Sequence, residues 1–342
     1  MTKGTVVGIL AGIGLSTGGL LYTFRGVDMA AMGRGMGRVG ATWILLSVLV
    51  ALCSFLLRAV RWRVLLRDVK TVGTGPLLSA TFIGMFANNV LPARIGELVR
   101  AWVLARRERT PAPAVLTTIV VERFLDVVAA LLILIVGLAA APHLGVAAST
   151  LLLQTLVAVT VLVGIGLVGL VMVVRFRTAL MAVSDRWSSK YSRRWVVTSV
   201  GLFQRFLTGL PRFRGGGEVL AILGLSVVIW APGVLSFHLL AKGFELGLTL
   251  AETSLVFVIV LFGVAIPSAP GFIGTFHGFC VAGLVLVAGI EPTVAAAYAT
   301  LLHGTQWMAV NIIGLGYLVA EPAVSWADLT AALRLRKPVA LP

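Results

Sequence analysis

Two long apolar stretches of this chain are broken in the same way. One break reads Asn88-Asn89-Val90-Leu91-Pro92-Ala93-Arg94-Ile95-Gly96-Glu97, and the other reads Ile266-Pro267-Ser268-Ala269-Pro270-Gly271-Phe272-Ile273-Gly274-Thr275-Phe276-His277. Both contain Pro-x-x-Ile-Gly, at Pro92 to Gly96 and at Pro270 to Gly274. Proline and glycine interrupt helices. In a membrane protein, interruptions at matching places in two halves point to a transporter's binding site.

Composition settles the membrane setting. The chain is 59% hydrophobic and 12% charged, with a mean hydropathy of +1.03. Several apolar runs reach the roughly 20 residues that span a bilayer as helix. Crossings are predicted near 5–24, 42–57, 114–139, 149–174, 219–240 and 294–320, with the breaks inside two further stretches, 75–91 and 250–290. Backbone inside a bilayer must satisfy its own hydrogen bonds, so the fold class is an all-α, polytopic helical bundle. The first segment lacks a small-residue cleavage site and is retained. Its Gly8-x-x-x-Gly12 and Gly14-x-x-x-Gly18 patterns suit close helix packing, within one chain or between copies in a homo-oligomer.

Loop charge orients the bundle. Basic residues crowd 58–73, 94–113, 175–218 and the tail, whereas 140–148 has none and 241–250 has only Lys242. By the positive-inside rule the basic stretches and both termini are cytoplasmic. Residues 25–41, with Arg25, Arg34 and Arg38, run against the rule and are outweighed. Segment 74–105 then begins and ends on the cytoplasmic side, and 250–290 on the other side, so each is expected to be a re-entrant or broken-helix hairpin. Each half, 1–139 and 140–320, holds three crossings and one hairpin. Three is odd, so the second half is expected to be inverted relative to the first. Residues 175–218 read as a cytoplasmic interfacial segment, and 321–342 as a cytoplasmic tail. The net charge of +15 fits cytoplasmic loops and anionic headgroups, and nucleic acid is not expected as a partner. Cys53 and Cys280 are expected to be free thiols, and the four histidines lack metal-ligand spacing, so no metal or other cofactor is expected.

The polar residues inside apolar segments are the candidate site. Asn88 and Asn89 precede Pro92; Arg94, Glu97 and Arg100 follow at three-residue spacing and can share a helix face. Helix-start amides there would attract an anion. Glu122, Arg123 and Asp126 lie inside the third crossing, Glu122 about 12 Å from a helix start near Ala114, where charges need partners or a watery cavity. Glu122 and Asp126 can meet Arg94 or Arg100, as part of a site or as a structural ion pair. Pro270, Gly271 and Gly274 should unwind the second break. His277, His303 and Gln306 are polar positions able to line the same cavity. Arg58, Arg61, Trp62 and Arg63 close the second crossing and read as headgroup anchors.

Taken in order, Arg58-x-x-Arg61-Trp62, Asn88-x-x-x-Pro92-Ala93-Arg94-x-Gly96-Glu97-x-x-Arg100, Glu122-Arg123-x-x-Asp126 and Pro267-x-x-Pro270-Gly271-x-x-Gly274-Thr275-Phe276 resemble the flippase-like family typified by the transmembrane region of lysylphosphatidylglycerol synthase, the multiple peptide resistance factor. The likeness covers most of 40–320. It implies a bacterial inner-membrane protein that moves lipids between leaflets, with membrane lipids bearing anionic headgroups as partners. The chain ends soon after its last crossing, so a soluble aminoacyl-transferring domain, and the synthase activity, are not expected. His277 stands where the family pattern commonly has an acid, which argues against a lysyl-type cationic substrate. The first expectation is a lipid flippase or scramblase. The alternatives are an intramembrane lipid-modifying enzyme and an accessory scaffold for a cell-envelope glycosyltransferase.

Overall fold

The computed structural model describes residues 3–91, 95–142, 144–190, 194–211, 215–266, 268–321 and 324. Its regular structure among these residues is helical: α1 (Lys3–Phe24), α2 (Met29–Arg38), α3 (Ala41–Leu66), α4 (Thr74–Val90), α5 (Gly96–Glu108), α6 (Ala112–Ala140), α7 (Val146–Arg175), α8 (Arg177–Lys190), α9 (Arg194–Thr208), α10 (Gly216–Gly243), α11 (Leu250–Ala265), α12 (Thr275–Ala288) and α13 (Pro292–Ala320), with a 3-10 turn at Pro270–Phe272. Spans Ala41–Leu66, Ala148–Val173, Gly216–Gly243 and Pro270–Ala288 are long and apolar enough to cross a membrane. Helix α7 leaves Leu153, Val157, Leu162 and Ile165 exposed. Such apolar surface without a protein neighbour belongs in lipid.

Both expected breaks are present, between α4 and α5 and between α11 and α12. Pro92 lies outside the described residues; α5 starts at Gly96, with Ile95 as its cap residue. The cap that Ile95 cannot supply comes from the preceding helix, where the Asn88 Oδ1 accepts the Gly96 N–H at 2.7 Å. Helices α4 and α5 cross through glycine: a Cβ on Gly84 would meet the Gly96 carbonyl and the Arg100 Cβ at 2.8 Å. The second break turns on positive φ at Gly271, Phe272 and Gly274 (+69°, +59° and +91°). Its outer side is covered by α1, whose Ser16 Oγ accepts the Ala269 N–H at 2.8 Å. Gly19 packs against Gly274. The α1 glycines thus act only in part as expected: Gly12 and Gly19 touch the second break, while Gly14 and Gly18 face open space.

The helix pairings follow a pattern of exchange. Helices α3 and α10 pack along their lengths; α4 lies on α13 as α11 lies on α6; α5 lies on α6 as α12 lies on α13; α2 lies on α13 as α9 lies on α6. Swapping α2–α6 for α9–α13 returns the same pairs. Two features were not anticipated. Helix α2, capped by Asp28 through the Ala30 and Ala31 N–H groups at 2.9 Å, occupies the connection 25–41. Helix α3 continues to Leu66 and carries Arg58, Arg61 and Trp62 into the protein rather than to a headgroup layer, with Arg61 and Trp62 fully buried.

Candidate functional site

The charged residues of α3, α5 and α6 converge. Asp126 accepts from Arg61 Nη2 at 2.7 Å and lies 3.6 Å from Arg58 and 3.1 Å from Arg123. Glu122 pairs with Arg100 at 2.7 Å and with Arg61 at 3.7 Å. Arg61 reaches α10 as well, donating to Ser226 Oγ at 3.0 Å. The guanidinium of Arg100 lies 3.6 Å over the Trp62 ring, and that of Arg58 lies 4.2 Å over Trp230. Trp62 is fixed by donating to Thr118 Oγ1 at 2.9 Å. Stacking and bidentate pairing suit arginine, whose weakly hydrated planar cation tolerates burial better than an ammonium.

Four guanidinium groups here face three carboxylates, those of Glu97, Glu122 and Asp126. The Arg61 and Glu122 side chains are 0% and 1% exposed, and their shortest contacts are with Asp126 and Arg100 respectively. Arg100 keeps Nε and Nη2 without a hydrogen-bond partner among the described residues. Unmatched positive charge and idle donors in a dry setting favour an incoming anion.

The cluster forms one end of a cavity of about 580 Å³. Of the residues predicted from sequence, the cavity wall includes Asn88, Asn89, Glu97, Arg100, Arg123, Asp126, His303 and Gln306. Glu122 sits behind Arg100. The Asn88 Nδ2 donates to Glu97 Oε2 at 3.3 Å, tying the tip of α4 to the start of α5. Pro270, Gly271 and Gly274 are not among the residues lining the cavity, where the second break contributes Phe272 and Phe276; a Cβ on Gly271 would stand 3.4 Å from the Asn89 carbonyl oxygen, so the second break lies against the end of α4. His277 lies behind His303, ring against ring at 4.8 Å, with its Nδ1 near the Gly274 N–H at 3.4 Å. Arg94 lies outside the described residues. Arg58 and Trp230 were missed as wall residues, and Arg61 as the hub beneath them. For Arg58 and Arg61 the signal was their place in the family-like string, outweighed by their position after an apolar run; for Trp230 the sequence carried none.

The chain belongs to the family described as the lysylphosphatidylglycerol synthase TM region, which it matches over residues 9–314. It is similar to glycosyltransferase AglD of Haloferax volcanii, 27% identical over 336 residues; the match covers 90% of this chain and 53% of that protein, so the chain spans about half the relative's length. It is also similar to a UPF0104 membrane protein of Methanothermobacter thermautotrophicus, 23% identical over 330 residues, covering 87% of this chain and 94% of the relative. No solved structure matches. Family and fold together define a multi-pass membrane protein with a lipid-related role.

Proposed function

We propose that the protein is a flippase- or scramblase-like transporter that moves a phospholipid, or another lipid-linked anion, across the bacterial inner membrane. The observation that carries this reading is the cavity itself: surplus guanidinium groups at one end, residues of both helix breaks at its wall, and room of about 580 Å³. Arg100, Arg58 and Arg123 hold the anionic headgroup, while Glu122 and Asp126 keep those arginines in place. The acyl chains stay in lipid. The exchange of helix partners between α2–α6 and α9–α13 supports two inverted repeats, 1–139 and 140–320, with cytoplasmic termini and alternating exposure of the cavity between them. The chain itself performs no covalent chemistry in this reading.

Translocation in proteoliposomes tests it, with headgroup-labelled phosphatidylglycerol and a neutral lipid as control. Faster exposure of the labelled anionic lipid, at least about tenfold slower in a folded Arg100→Gln variant, supports transport. Equal rates with and without protein sink it. A second reading has one specific observation behind it: AglD is named a glycosyltransferase. The chain would then be a membrane module serving a glycosyl-transfer reaction, and covalent change of lipid on incubation with the pure protein would favour that reading.

A further inference from the structure

The far end of the cavity has a different chemistry, which the arginine cluster does not use. It is built by His303, Gln306 and Trp307 of α13, facing Phe272 and Phe276 of the second break. Gln306 donates through Nε2 to Ser236 Oγ at 2.8 Å, and Ser236 Oγ is 2.9 Å from Ser47 Oγ, so the amide is held in place with its carbonyl oxygen in reserve. The His303 ring stacks on Phe276 at 4.5 Å. Trp307 Nε1 has no hydrogen-bond partner among the described residues and abuts Gly271. This end therefore offers uncharged donors, acceptors and aromatic faces. The acids that line the cavity among the described residues are Glu97 and Asp126. Both belong to the charged end, and both are already engaged, by Asn88 and by three arginines. A cationic headgroup beside His303, Gln306 and Trp307 would meet none of these acids among the described residues that build this end.

Trp230, beneath the Arg58 guanidinium, and Ser236, which holds Gln306, are six residues apart on α10, or about 9 Å of helix rise, so both kinds of group line one cavity. A few well-placed polar groups on an otherwise apolar wall are how pockets fix orientation and select their ligands.

We propose that the cavity selects a lipid whose phosphate carries an uncharged polyol, with Gln306 and His303 contacting its hydroxyls. This rests on the reading of the cavity as the substrate site, but binding tests it apart from transport. The probes are dioctanoyl lipids titrated into the detergent-purified full chain and followed by intrinsic tryptophan fluorescence: phosphatidylinositol (a neutral polyol on the phosphate), phosphatidic acid (no headgroup substituent) and phosphatidylethanolamine (a cationic one). Phosphatidylinositol is expected to bind about tenfold more tightly than either of the others. In Gln306→Leu/His303→Leu, the preference should fall to within about twofold while phosphatidic acid binds as before. The milder Gln306→Met serves if that double variant does not fold, and should weaken phosphatidylinositol selectively. Equal affinities in the wild type, tighter binding of phosphatidylethanolamine, or no saturable binding of any probe would overturn the inference. Selective binding without translocation would overturn the transport reading and leave this one standing.

Discussion

The first break and the second share a five-residue pattern but are built by different means. The first is closed by side chains: Asn88 caps Gly96 and holds Glu97, and one turn later Arg100 enters the ion cluster. The second is closed by backbone: three successive-region positive φ angles, a serine of α1 accepting one amide, and aromatic rings where the first break has charges. The common pattern fixes where the helix stops. The residues around it decide whether the opening handles charge or neutral shape. A cavity walled by one break of each kind offers charged groups and neutral polar groups together.

The largest expected effect lies at the charged side. Arg61→Met leaves Asp126 without its shortest contact and Glu122 with one partner fewer, and breaking a buried pair this way costs about 3–5 kcal/mol. Thermal melting in detergent should show it as a steep loss, partly restored in Arg61→Met/Asp126→Leu. At the neutral side, Ser236→Ala removes hydrogen bonds to Ser47 and Gln306 at a cost of about 1 kcal/mol. Comparable losses in Arg61→Met and Ser236→Ala would erase the distinction between the two ends.

Glycine substitutions compare the backbones directly. At Gly274 an added Cβ collides with the Ser16 carbonyl, and φ is +91°. Gly274→Ala should therefore lose about 3 kcal/mol or more, from left-handed strain and overpacking together. Gly96→Ala collides with the Gly84 carbonyl and Asn88 without a positive φ, and should lose about 1–3 kcal/mol. Gly289, at φ +63° with open space around it, isolates the strain alone, about 1–2 kcal/mol. Melting temperatures falling in that order would confirm that the second break relies more on backbone conformation. Gly96→Ala proving the most damaging of the three would reverse that ranking.

Much of this was legible in the sequence because it follows from hydropathy and helix-breaking residues. The two breaks appear, the spans Ala41–Leu66, Ala148–Val173 and Gly216–Gly243 fall on three of the six predicted crossings, and α8 and α9 lie within 175–218. The meeting of Arg100 with Glu122 was also legible, since a charge buried in an apolar helix needs a partner. Arg58, Arg61 and Trp62 were misread because hydropathy registers where an apolar run ends, not where a helix ends; α3 continues through them. The Ser47–Ser236–Gln306 chain was not legible beyond Gln306 itself. Serines in apolar helices are common, and only the packing of α3 on α10 brings these two together. The same limit applies to α1, where small residues at regular spacing do not reveal which face meets the second break.

The smallest effect concerns α13, which carries the neutral end of the cavity and begins at Glu291. That carboxylate accepts the Thr293 N–H at 2.9 Å and the Val294 N–H at 3.0 Å. The bond from Thr293 holds its pKa below the ordinary glutamate value. The folded pKa is thus lower than the unfolded one, so the ionised cap stabilises the folded protein at pH values above the unfolded pKa of about 4.3, and that contribution fades as pH falls through the folded pKa. Glu291→Gln keeps an acceptor but removes the charge at the helix start, a loss below about 1 kcal/mol for an exposed end. The melting-temperature gap between wild type and Glu291→Gln should be constant above about pH 6 and shrink below about pH 4.3. Asp28, which caps the adjoining α2 and is lowered by its bond from Ala31, adds acid sensitivity of the same sign to both proteins and cancels in the difference. A gap that widens on acidification would mean that protonated Glu291 caps α13 better than the carboxylate does. The acid sensitivity of this side would then have to come from elsewhere than the end of α13, which would count against treating its inner end as the neutral partner of the arginine cluster.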